Sequence, residues 1–134
     1  MKNILIILVV LFAMLLPGAA GAAATVEVDI LYMNHGPLKP TLDKLKGLFA
    51  GYGEKIAPHW HDFESQDGEK FMVSKGIHQH VPLMIWINGK TTVSVEGVPC
   101  TFSGFPNGSG PEFFQGKWTL DSLTKALDQA TLKN

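Results

Sequence analysis

Five histidines and a single cysteine carry most of the chemical potential of this chain. His59 and His61 flank Trp60, His78 and His80 flank Gln79, and His35 stands alone before Gly36-Pro37. Imidazole changes charge near neutral pH and is a preferred ligand of zinc and copper. On a strand, a His-x-His pair projects both rings from one face, so His59 and His61 form one candidate metal pair. Cys100 has no second cysteine to pair with in the chain. Thiol–disulfide exchange needs one thiolate to attack and a second thiol to resolve. Dithiol oxidoreductase chemistry within one chain is therefore excluded, and Cys100 is buried, capped, paired with another molecule, or a reactive thiol acting alone.

The elements that must position these groups are legible from periodicity. Val26 to Met33 reads as a strand. Pro37 and Pro40 suit the first turn of a helix, whose apolar face is Leu42, Leu45, Phe49 and Tyr52 and which ends at Gly51 and Gly53. Ile56 to Phe63 is a second strand, placed at a sheet edge by Pro58. A short helix spans Asp67 to Lys75, started by Ser65 or Asp67 and stopped by Gly76. Leu83 to Ile87 and Thr91 to Val95 flank Asn88-Gly89, the signature of a tight hairpin. Thr119 caps a last helix over Leu120 to Thr131. The order β-α-β-α-β-β-α predicts an α/β fold, a four-stranded mixed sheet between helices.

Residues 1–24 differ from the rest. Lys2 is followed by an apolar run from Ile4 to Leu16, then Pro17-Gly18 and small residues to Ala24. This is the pattern of a cleaved signal peptide, and thirteen apolar residues fall short of the roughly 20 that span a bilayer. The mature chain is expected to be one domain over residues 25–134, exported to the periplasm or the extracellular space, with no membrane attachment after cleavage. The full chain, with 11 basic and 12 acidic residues, has no basic footprint for nucleic acid. Gly97 to Trp118 is rich in glycine and proline, yet carries Phe102, Phe105, Phe113, Phe114 and Trp118. Those aromatics argue for an ordered insertion over the end of the sheet, either covering the core or lining a binding site.

Two segments give this order a family likeness. Val28 to Pro40, with His35-Gly36-Pro37-Leu38-Lys39, resembles the strand and active-site turn of the thioredoxin-like superfamily, with His35 and Leu38 where the two cysteines stand. Gly76 to Leu83, followed by Asn88-Gly89-Lys90, is similar to that family's loop into the third strand. The resemblance covers roughly residues 26–97 and 119–131. It implies a degenerate active-site turn of His35, Gly36, Pro37 and Leu38, with Asp29 as the inherited partly buried acid. It also implies a cis Val81–Pro82 bond. The loop carrying His78 and His80 would meet the first helix, bringing one or both near His35 as a copper or zinc set. No other cofactor is implied.

The first functional expectation is a redox-inactive binding module for a peptide or protein. Its groove would lie between His35-Gly36-Pro37 and Val81-Pro82, and the cis bond would turn Val81's backbone toward an extended partner. A trans bond would remove that groove, and with it this first expectation, and would favour the second, a histidine-based metal-binding protein. The third is an enzyme that uses Cys100 as a lone thiol.

Overall fold

The computed structural model describes residues 23–133. The expected signal peptide, except for its last two residues, lies outside them. Among the described residues no helix is long and apolar enough to cross a membrane.

β1 (Val26–Tyr32) is the central strand, with the aliphatic Val26, Val28 and Ile30 alternating onto one face. Val26, Val28 and Ile30 are fully buried and face α1 (Lys39–Ala50) and α3 (Leu120–Leu132). Helical spacing brings Leu42, Leu45 and Phe49 of α1, and Leu123, Ala126 and Leu127 of α3, into the same core. The N-terminus of α3 is closed by a capping box between Thr119 and Ser122. Tyr52, just past α1, ties the two helices together. Its hydroxyl donates to the Thr124 carbonyl at 3.1 Å and to the Asp128 carboxylate at 2.7 Å. Burial, then the Asp128 hydrogen bond and charge, hold this phenol above its ordinary pKa.

β2 (Ile56–Asp62) pairs in parallel with β1, from Val26 opposite Ile56 to Tyr32 opposite Asp62. β3 (Leu83–Ile87) pairs antiparallel on the other side, with Ile30 opposite Ile85. The sheet order is β2-β1-β3, so the Pro58-containing strand is an edge. α2 (Gln66–Ser74) covers the opposite face. It starts where the Ser65 hydroxyl accepts the Gly68 N–H at 2.9 Å, and it lays Phe71 against Trp86 of β3.

The expected four-stranded sheet is not what forms. Asn88-Gly89 does make its turn, with positive φ at both residues and Ile87 and Lys90 bonded to each other. Beyond Lys90 the chain leaves β3. β4 (Thr92–Val95) instead pairs with β5 (Val98–Thr101) through a second tight turn at Glu96-Gly97, giving a separate two-stranded sheet. The margin of β3 is taken by Phe102 to Gly104. Ile85 N–H donates to the Phe102 carbonyl at 3.0 Å, and Gly104 N–H to that of Leu83 at 2.8 Å. A second turn lies eight positions further on, and the strand that the first would have returned pairs across it instead. The segment from Gly97 to Trp118 thus begins as a strand. Phe102, Phe105 and Trp118 are core, while Phe113 and Phe114 stay exposed.

Candidate functional site

The backbone at the head of α1 brings the degenerate turn and the insertion together. β1 ends at Tyr32, and Met33 N–H donates to the Pro82 carbonyl at 3.0 Å, which holds the loop into β3 beside the turn. Gly36–Leu38 form one 3-10 turn, closed by Leu38 N–H donating to the His35 carbonyl at 3.0 Å. Proline at position 37 presets that turn. Leu38 is only 1% exposed and is part of the core, so the second cysteine position of the resemblance holds a packing residue. His35 stays in solvent, with Nε2 3.4 Å from Glu64.

A cavity of about 300 Å³ opens here. Met33, His35, Pro37, Leu38 and Pro82 form its floor and one wall. Phe105, Pro111 and Phe114 of the insertion form the other. Gly110 has φ +69° and sits so close to the Phe105 ring that a Cβ would come within 2.2 Å of it. The insertion therefore has a glycine where its backbone passes the ring that lines the cavity. Ser109 anchors the same loop to α1 through a 2.9 Å hydroxyl–hydroxyl bond with Thr41. Apart from the His35 imidazole, every lining side chain is a hydrocarbon, a pyrrolidine, a thioether or a phenyl ring. Such a surface recognises apolar groups by shape and area.

The Val81–Pro82 bond is not cis: among the described residues no peptide bond is. This corrects the expectation from family position. The Pro82 carbonyl already has its partner in Met33, and trans is the lower-energy isomer of an X–Pro bond by about 0.5–1 kcal/mol. The argument for pairing a partner's backbone on Val81 goes with the cis bond. What stands at that position instead is the apolar cavity, to which Pro82 contributes and the neighbouring Val81 does not.

The histidines are distributed rather than gathered. His80 packs its ring on Phe63, with centroids 4.6 Å apart, and His78 is exposed. Among the described residues, no group of three His, Cys, Asp or Glu side chains is placed to hold a metal ion. His59 and His61 do share a face, as their spacing requires, but each is drawn to an acid on β1. His59 pairs with Glu27. His61 has both nitrogens engaged, Nδ1 at 2.8 Å from Asp67 and Nε2 at 3.1 Å from Asp29. Its ring also stacks on Phe71, nearly parallel at 3.8 Å. Asp29, expected as the inherited buried acid, is half-buried and belongs to this clamp between β1, β2 and α2.

Cys100 lies on β5, half-buried, with Sγ 3.5 Å from the Ser122 hydroxyl at the start of α3. It is not among the residues lining the cavity.

Phe105, Phe114, Pro111 and Met33 complete the pocket. The signal for the first three was the aromatic and proline content of the insertion. Met33 gave none, because its role depends on where the strand ends. No model of a known protein family matches the chain, and no curated protein matches it either.

Proposed function

We propose that this chain is an exported, redox-inactive thioredoxin-like domain that binds an apolar segment of a peptide or protein. The observation that carries the reading is the apolar cavity of about 300 Å³ beside His35-Gly36-Pro37-Leu38, where the cysteines of the resembled family would stand. The thioredoxin-like part is supported by a parallel β1–β2 pair, an antiparallel β1–β3 pair, and a helix that begins immediately after the degenerate turn. It is supported further by α1 and α3 sharing one face of the sheet while α2 covers the other. The missing fourth strand departs from that pattern, and Phe102–Gly104 fills its place along β3. Export rests on the pattern of residues 1–24.

Selection of random peptides on the immobilised protein tests this. Enriched peptides should carry adjacent apolar residues, shift the Met33 methyl resonance on titration, and bind at least about tenfold more weakly to Pro111→Glu, which puts a charge on the exposed rim. Absence of any enriched peptide, or binding that leaves Met33 unmoved, overturns the pocket as the site. A parallel assay of disulfide reduction should stay at background, since no second thiol is present to resolve a mixed disulfide.

A further inference from the structure

The pocket has an unusual neighbour. Phe113 is 91% exposed, the most exposed large hydrophobic side chain among the described residues. It sits in the 3-10 turn Glu112–Phe114, next to Phe114, which lines the cavity and is itself 47% exposed. The two rings meet edge to face at 5.2 Å, so Phe114 turns inward as a wall while Phe113 projects beside it. A protruding aromatic beside an apolar hole is the arrangement a two-fold interface needs. Rotation about an axis between them puts each knob into the other copy's hole.

We propose that two copies of this chain associate through this face, the Phe113 side chain of each entering the apolar cavity of the other. The inference rests on the pocket being a binding site and names the aromatic side chain as the group it takes. Size agrees: an apolar cavity of about 150 Å³ accepts benzene, so one of about 300 Å³ admits a phenyl ring and its Cβ. The lining agrees as well, because the Phe105 and Phe114 rings and the Pro37, Pro82 and Pro111 rings offer flat faces and edges to a guest ring. Area sets the strength. Each phenyl ring covers about 200 Å² and hides a smaller area of the cavity lining, so two insertions bury roughly 550 Å² in all. Stable assemblies bury about 1,200–2,000 Å². The association is therefore weak and concentration-dependent. It leaves the chain monomeric at low micromolar concentration, where a partner peptide with an aromatic residue competes for the same cavity.

Sedimentation of the full chain from about 10 μM to about 1 mM, with Met33 methyl spectra over the same range, tests the proposal. The expected result is a monomer–dimer equilibrium accompanied by movement of the Met33 resonance. Phe113→Ser should weaken it at least about tenfold, and so should Pro111→Glu, which spoils the hole and leaves the knob. Both positions are exposed, so neither variant depends on refolding the core. A wild-type chain that stays monomeric overturns the proposal. So does a dimer that survives Phe113→Ser, or one that forms without moving Met33. Phe113→Ser leaves the cavity open, so its binding of selected peptides reads the pocket separately. Peptide binding without self-association sinks the dimer alone, and loss of both sinks the pocket.

Discussion

The two faces of β1 solve the same burial problem differently. The even-numbered face is dry: Val26, Val28 and Ile30 are sealed by α1 and α3 with no polar side chain between them. The odd-numbered face carries Glu27 and Asp29 before the fully buried Leu31. α2 covers it through His61, which reaches a carboxylate on each side and stacks on Phe71. Packing on the first face is set by volume and tolerates no gap. Attachment on the second combines the Phe71–Trp86 contact with the hydrogen bonds of His61, whose loss would leave Asp29 half-buried without its partner. One strand thus anchors a rigid layer holding the head of α1 and a more separable layer formed by α2.

The largest effect should come from the dry face. Ile30→Ala should cost about 2–5 kcal/mol in chemical denaturation, since the residue is fully buried. Gly68→Ala should follow at about 1–3 kcal/mol, because a Cβ there would stand 1.8 Å from the Asp62 carbonyl oxygen and push α2 from the sheet. Gly36→Ala, with nothing within 4 Å of the added carbon, is the matched control and should be nearly neutral. His61→Ala should cost about 1–2 kcal/mol by leaving Asp29 half-buried without its partner. It should speed amide exchange in α2 well before β1. If β1 and α2 exchange together in that variant, the two faces are one cooperative unit and the contrast fails.

The smallest effect is one of pH. Tyr52 keeps its proton to higher pH when folded than when unfolded. The stability it contributes is therefore complete below about pH 10 and lost as pH rises toward the folded value. Denaturation midpoints at about pH 8 and about pH 11 should diverge more in the wild type than in Tyr52→Phe.

Most of the element order was legible because apolar period fixes it. The helix read over Leu120–Thr131 is found at Leu120–Leu132, and the strand read over Val26–Met33 at Val26–Tyr32. The fourth strand was not, because Asn88-Gly89 signals a returning strand, whereas the strand that follows pairs across Glu96-Gly97, a turn its residue types do not announce. The clamp was missed because histidines at spacing two were read as a metal pair. Glu27/Asp29 and His59/His61 alternate with the same period on strands that turn out to be parallel neighbours, and that match was the available signal. Of the pocket, the degenerate turn and the aromatic insertion were visible separately. Their meeting is held by the Thr41–Ser109 hydroxyl bond, which joins residues 68 positions apart.

The open margin of the main sheet has a consequence for survival in a crowded compartment. β2 is the outer strand, and Pro58 interrupts its middle with a residue that has no N–H to offer. At the opposite margin, Phe102 to Gly104 already occupies the hydrogen-bonding groups of β3 at Leu83 and Ile85. A foreign strand therefore meets an incomplete row of donors on one side and an occupied row on the other. Edge-to-edge growth is thus disfavoured at both margins of the main sheet.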